Sequence, residues 1–180
     1  MPRAVILVEG KSDELALRTL AGRRGRNLEA EDIEIVAIGG AHSLGRFLPA
    51  YGDARLAGLY DIGEEDEIRR ALRRAGLGNE LTRTELESLG FYVCDRDLED
   101  ELIRALGASA VEQVVAAHGD LRPWQTFQKQ PEWRGRPVEQ QLRRFMGSGG
   151  RRKIHYARFL VEALDPADVP RPLDRVLARV

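Results

Sequence analysis

Cysteine is scarce in this chain of 180 residues, which contains only Cys94. A single cysteine excludes an internal disulfide and is typical of proteins in a reducing cytosol, so we expect a cytoplasmic location. No two histidines or cysteines stand at the spacing of metal ligands, which argues against a zinc site. A charged-then-apolar leader and a long apolar run are also lacking, and we therefore expect neither a signal peptide nor a membrane span.

Net charge is small as well, at -1, but the charges are unevenly distributed. Residues 1–100 carry 14 Lys and Arg against 20 Asp and Glu, whereas residues 101–180 carry 14 against 9. Between Leu121 and Leu160 there are 10 basic and 2 acidic residues. An acidic first half and a basic second half suggest a metal site beside a surface that binds a polyanion. The alternative is that the basic residues form solvated helix faces.

Four short apolar runs have the composition of buried strands in a parallel sheet, and helix-like segments separate them. The runs are Ala4–Val8, Ile33–Ile38, Leu56–Tyr60 and Phe91–Cys94. We expect Ser12 to cap the first helix and Asp97 to cap the helix after the last strand. The alternation predicts an α/β fold with a parallel sheet of about four strands, formed by residues 1–107. Residues 108–180 are expected to be a basic helical extension packed on the same domain.

Acidic residues stand at the carboxyl ends of three of these runs. Glu9 follows the first, Asp61 the third, and Asp95, Asp97 and Glu99 the fourth. Because these ends converge at one edge of a parallel sheet, the carboxylates would repel one another unless hard cations neutralised them. Mg²⁺ binds such oxygen ligands, and two ions can hold a scissile phosphodiester and activate water. Each acid also has a simpler interpretation, as a solvated strand end or part of a helix start.

Four parts of the sequence follow the pattern of a known family. They are Val8-Glu9-Gly10-Lys11-Ser12-Asp13, Ile38-Gly39-Gly40, Asp97-Leu98-Glu99 at a helix start, and Lys153 before Tyr156-Ala157. In this order, and with four alternating β/α units, they resemble a TOPRIM domain, the metal-binding module of topoisomerases, primases, recombination proteins and OLD-family nucleases. The similarity is greatest to the OLD branch, and it covers residues 4–107 well and the rest loosely.

The resemblance implies a nuclease that cleaves DNA phosphodiester bonds with two Mg²⁺ or Mn²⁺ ions. It implies five metal ligands, of which the first doubles as a general acid or base: Glu9, Asp13, Asp61, Asp97 and Glu99. Lys153 would stabilise charge on the phosphate in the transition state, although it can also be an ordinary cation in a basic run. The basic segment would hold the DNA backbone through Arg134, Arg136, Arg143, Arg144, Arg151 and Arg152.

The sequence departs from the family pattern in two respects. Gly63 stands where the family has the second Asp of an Asp-x-Asp motif, so one ligand is missing unless Glu64 or Glu65 replaces it. An alternative register makes Asp95-Arg96-Asp97 the motif. OLD nucleases also resemble fusions to an ABC-type ATPase, which this sequence does not contain, so any ATP dependence would come from a separate chain.

Two other functions stay open at this point. The first is a nucleic-acid or partner-binding module that kept the TOPRIM fold and lost its metal, which Gly63 would explain. The second is an enzyme that acts on another phosphate substrate, such as a nucleotide or the substrate of a primer-type transferase.

Overall fold

The structure, a computed structural model, describes all residues from Met1 to Val180. The strands are β1 (Ala4–Val8), β2 (Ile33–Ala37), β3 (Arg55–Asp61) and β4 (Phe91–Cys94). The helices are α1 (Lys11–Arg23), α2 (Leu44–Phe47), α3 (Glu65–Arg74), α4 (Arg83–Ser88), α5 (Leu98–Leu106), α6 (Ala108–Ala117), α7 (Leu121–Gln128), α8 (Val138–Gly147), α9 (Gly150–Ala163) and α10 (Arg171–Ala178). Short 3₁₀ turns occupy Ala41–Ser43, Leu48–Tyr51, Ile62–Glu64 and Pro166–Asp168. All four predicted strands are present.

The strands form one parallel sheet in the order β2-β1-β3-β4. Every residue of β1 is buried, because this strand has a neighbour on either side and helices above and below. In the β3–β4 pair, Asp61 lies opposite Cys94. The predicted α/β architecture with a four-stranded parallel sheet is therefore confirmed, and the carboxyl ends of β1, β3 and β4 lie side by side.

Helices cover both faces of the sheet. Ile6 belongs to the larger core, which includes Leu17 of α1, Leu102 of α5 and Leu160 of α9. Val5 points to the opposite face and belongs to the smaller core with residues of α2, α3 and α4. The helices after residue 107 share the larger core with α1 and the sheet, which places the basic second half of the chain against the strands. None of the helices combines the length and apolar character needed to cross a membrane.

One of the two predicted helix caps is wrong. Gly10, not Ser12, is the N-cap of α1, and its backbone N–H donates to Asp13 Oδ2 at 2.9 Å. Ser12 is buried inside the first turn instead. Asp97 is the N-cap of α5, as expected, and its Oδ1 accepts a hydrogen bond from the backbone N–H of Asp100 at 2.8 Å. These two hydrogen bonds fix the side chains of Asp13 and Asp97 at the carboxyl edge of the sheet.

Candidate metal centre and basic cleft

Glu9 directly follows β1, and the backbone around it is held by the turn after β2. The N–H groups of Gly39 and Gly40 donate to the Glu9 carbonyl at 2.9 and 3.3 Å. Both glycines have positive φ, 75° and 107°, which residues with a side chain rarely adopt. The Gly39-Gly40 pair therefore lets this turn approach the end of β1 and fixes the position of Glu9.

Asp13 and Asp61 lie beside Glu9, and both are partly withdrawn from water. Burial raises the pKa of Asp13 to about 6, against the opposing effects of the Gly10 N–H and of Lys153. Burial also raises the pKa of Asp61 to about 8, and the neighbouring charges of Glu9, Asp13 and Asp97 add to this shift. Buried carboxylates with like charges beside them form a site with a high affinity for positive charge.

Glu64, and not Glu65, approaches this group. Burial raises the pKa of Glu64, the nearby carboxylates of Glu9 and Asp13 add to the shift, and the Ala41 N–H, which donates to Glu64 Oε1 at 3.3 Å, opposes it. Glu65 is buried elsewhere, where its carboxylate accepts hydrogen bonds from Arg83 at 2.9 Å and from the Tyr60 hydroxyl at 3.2 Å. Of the two acids that could replace the missing motif residue at Gly63, only Glu64 faces the site.

Glu99 and Lys153 lie together on the other side of the site. Lys153 Nζ is 3.5 Å from Glu99 Oε1, which is buried and accepts no hydrogen bond. Burial raises the pKa of Glu99. Burial alone would lower the pKa of Lys153, but the surrounding carboxylates, with Glu99 first, raise it above its usual range. Lys153 is therefore a protonated cation beside a carboxylate with unused capacity as a ligand.

Asp97 differs from the other acids because both of its oxygens already have partners. Oδ1 caps α5, and Oδ2 accepts a hydrogen bond from Arg143 Nε at 2.6 Å. Asp95, the other member of the alternative register, is exposed. Of the two aspartates in this register, only Asp97 contributes to the site, and its carboxylate holds Arg143 of α8 beside it.

The six acids Glu9, Asp13, Asp61, Glu64, Asp97 and Glu99 are called the carboxylate cluster below. The donor set consists of oxygens only, which suits Mg²⁺ or Mn²⁺, and the unpartnered Oε1 of Glu99 fits a ligand that binds one of these ions. No three acidic, histidine or cysteine side chains stand close enough to enclose an ion in their present rotamers. An ion held by this cluster would therefore require some of these side chains to change rotamer.

A cleft of about 490 Å³ opens beside Asp97 and Glu99. Five basic side chains line it, and we call it the basic cleft: Arg96, Arg136, Arg143, Arg144 and Lys153. Three of the six arginines predicted to hold DNA are in this group. Of the others, Arg151 and Arg152 lie along neighbouring grooves. Arg134 lines none of these grooves and donates to the Lys129 carbonyl of its own loop at 3.3 Å.

Sequence reasoning missed Arg96, and also Arg122, which lines the groove next to the basic cleft. Arg96 follows β4 within an acidic segment, and the net charge of that segment stays negative despite this arginine. Its position one residue before the cap of α5 was the available signal, because that position lies at the carboxyl edge of the sheet. Arg122 belongs to the basic stretch between Leu121 and Leu160, but it precedes the segment predicted to hold the DNA backbone.

The burial of Asp61, together with the like charges around it, predicts that Asp61→Asn stabilises the metal-free protein. The folded-state pKa of Asp61, about 8, is above the ordinary aspartate value of 3.8. The folded state therefore holds a proton that the unfolded state releases, and stability decreases as pH rises between these values. In EDTA at pH 8 we expect Asp61→Asn to add ~1–2 kcal/mol, less than the full shift would give because solvent screens the charge.

Thermal unfolding checks this, with a Tm increase of about 2–8 °C expected at pH 8 and a smaller one at pH 5. Asp66→Asn is the matched control, since the Asp66 side chain is 88% exposed and is not a member of the cluster. A lower Tm for Asp61→Asn than for the wild type at pH 8 would contradict the electrostatic account.

Comparisons with known proteins agree with this architecture. Residues 2–56 match the family described as "Overcoming lysogenization defect protein-like, TOPRIM domain". The C-terminal region of the Xanthomonas campestris pv. campestris OLD protein has a similar structure, with a TM-score of 0.75 and 19% identity over 99% of this chain and 92% of that one. The C-terminal region of the Burkholderia pseudomallei OLD protein gives a TM-score of 0.72 and 18% identity over 99% and 96%. A search of curated proteins found no match.

Proposed function

We propose, from the match of residues 2–56 to the OLD-like TOPRIM family and from the fold shared with the C-terminal regions of OLD proteins, that the protein is a metal-dependent nuclease that cleaves DNA phosphodiester bonds. The observation that carries the proposal is the position of the carboxylate cluster directly beside the basic cleft, with Lys153 between them. A phosphodiester held by the cleft arginines would meet the cluster at the carboxyl edge of the sheet, where open α/β sheets bind their ligands. The similar structures support the fold, and the chemistry of the side chains supports the activity.

In this proposal two Mg²⁺ or Mn²⁺ ions are held by the cluster. Glu9, Asp13 and Asp61 would bind one of them together with Glu64, which takes the place of the family's missing aspartate. Glu99 would bind the other. Asp97 stays near it and orients Arg143, because both of its oxygens already have partners.

The bound ions would polarise the phosphodiester and lower the pKa of the attacking water. The remaining steps belong to the chain itself. Glu9 would accept a proton from that water or donate one to the leaving oxygen. Lys153 would stabilise the additional negative charge on the phosphate, and Arg136, Arg143 and Arg144 would fix the DNA backbone by ion pairing.

Plasmid nicking by the purified protein tests this function. We expect nicked product with Mg²⁺ or Mn²⁺ and none with EDTA, because the cluster cannot act without cations. Glu9→Ala and Asp61→Ala should lower nicking to background, whereas the exposed control Asp66→Ala should cleave as the wild type does.

A second candidate is a metal-deficient module that binds nucleic acid or another partner. Two observations favour it, namely the glycine at position 63 and the lack of three side chains that enclose an ion as they stand. The same preparation decides between the two functions. If the wild type nicks DNA under no metal condition, and calorimetry detects no binding of Mg²⁺ or Mn²⁺, the nuclease proposal is wrong and the binding module replaces it.

A further inference from the structure

The two tryptophans of the chain have different environments. Trp124 is buried in the core, where its Nε1 donates to Glu112 Oε1 at 2.9 Å. Trp133 is only half-buried and lines the basic cleft. Trp124 is thus a structural anchor, whereas Trp133 is available to a ligand.

Trp133 also lines a second groove, of about 650 Å³, which we call the aromatic groove. Trp133 and Arg144 belong to both the basic cleft and the aromatic groove, so the two are continuous. Beyond Trp133 the aromatic groove is lined by Phe127, Arg122 and Arg152 among others, and its single acid is Glu132. A chain that leaves the basic cleft can therefore continue along a surface with three arginines and three aromatic rings, those of Phe127, Trp133 and Phe145.

The side chains around Trp133 are arranged as a stacking platform. Phe127 stacks on the Trp133 ring, with centroids 5.3 Å apart and an interplanar angle of 26°. The guanidinium of Arg136 lies 5.0 Å from the centroid of the same ring. Arg136 is exposed, and its Nε is bonded to the Glu132 carbonyl at 2.7 Å. A planar base can replace this guanidinium on the ring, because both are flat groups that favour an aromatic face.

The arginines of the aromatic groove differ in whether they already have an acidic partner. Arg152 lies 3.6 Å from Asp120 and over the Phe145 ring, which holds it in place. Arg122 and Arg144 are exposed and pair with no carboxylate. Unpaired arginines that line the same groove as an aromatic ring match the repeat of a nucleic acid strand, in which phosphates alternate with bases.

We propose that the aromatic groove binds single-stranded DNA, with one unpaired base stacked on Trp133 and the flanking phosphates on Arg122 and Arg144. The identity of the polymer as DNA rests on the proposed function. Duplex DNA keeps its bases stacked inside the helix and offers no free face to Trp133. The groove therefore favours a substrate with an unpaired stretch next to the phosphodiester that enters the basic cleft.

Fluorescence titration with EDTA present tests this proposal without any cleavage. The probes are an oligothymidylate of about 12 nucleotides and a duplex of the same length, both dye-labelled so that anisotropy can be read as well. We expect the oligothymidylate to quench the emission of Trp133, because a stacked base quenches indole fluorescence, while the buried Trp124 supplies a constant background. The duplex should produce little quenching and bind more weakly.

Three variants complete the experiment, each checked first for an unchanged Tm. Trp133→Leu should lose the quenching and bind the oligothymidylate about tenfold more weakly or worse, whereas Trp133→Phe should lose the quenching but keep most of the affinity. Arg122→Glu should weaken binding and reduce its dependence on salt. Equal binding of both probes, or wild-type affinity in Trp133→Leu, would overturn the proposal. Because EDTA is present, failure of the nuclease activity would not affect this result.

Discussion

Replacing Lys153 by methionine is expected to slow metal-dependent DNA cleavage by ~100-fold to 1000-fold, the usual cost of removing one group that stabilises transition-state charge. Lys153 lies between the carboxylate cluster and the basic cleft, and the neighbouring carboxylates keep it protonated. Methionine retains the length and the apolar stem of lysine but has no charge. Single-turnover cleavage at saturating Mg²⁺ or Mn²⁺ measures the effect, and Lys153→Arg, which keeps the charge, should retain much more of the rate.

The same substitution should also destabilise the metal-free protein, for a separable reason. Glu99 Oε1 is buried, and Lys153 is the cation with which Glu99 forms a salt bridge. Without Lys153 the buried Glu99 carboxylate loses this partner, at a cost of ~1–3 kcal/mol. In the double variant with Glu99→Gln, the lost stability should return and the lost activity should not. Full activity in Lys153→Met would show that Lys153 has no part in the chemistry.

The sheet could be predicted from the sequence because its strands are buried on both faces. A continuous apolar run such as Ala4–Val8 has one simple explanation, a central parallel strand, and the acid that follows such a run is then placed at the carboxyl edge. This reasoning places Glu9, Asp61 and Glu99 at one edge of the sheet from the sequence alone. The reasoning needs only the positions where strands end, and the change from apolar to polar residues identifies those positions in the sequence.

The side chains that face the cluster could not be predicted, because their directions depend on turns that leave no mark in composition. The 3₁₀ turn Ile62–Glu64 directs Glu64 to the site. Glu65 is the first residue of α3, and its side chain points toward the smaller core instead. Adjacent acids in a sequence give no indication of this difference. For the same reason the count of basic residues identified the segment that contributes to the cleft, but not which of its arginines point there. Arg134 was included, although its side chain donates to a carbonyl of its own loop.

The difference between Glu64 and Glu65 leads to a paired prediction. Glu64→Gln is expected to lower metal-dependent cleavage ~10-fold to 100-fold and to weaken Mg²⁺ binding by a similar factor, because it removes a charged oxygen donor from the cluster. Its fold should be unaffected or slightly stabilised, since one of several mutually repelling carboxylates is gone. Cleavage rates over a Mg²⁺ titration, with calorimetry of Mg²⁺ binding, provide the measurement.

Glu65→Gln is the matched control, with the opposite expected pattern. Burial alone would raise the pKa of Glu65, but its hydrogen bond from Arg83 and the charge of Arg69 hold it below the usual range. Loss of this charge should lower the free energy of unfolding by ~1–3 kcal/mol through the weakened ion pairs, and leave cleavage at saturating Mg²⁺ close to the wild-type rate. If Glu65→Gln instead lost Mg²⁺ binding while Glu64→Gln kept it, the assignment of Glu64 as the substitute for the missing aspartate would be wrong. Glu65, the first residue of α3, would then be the acid that binds the ion.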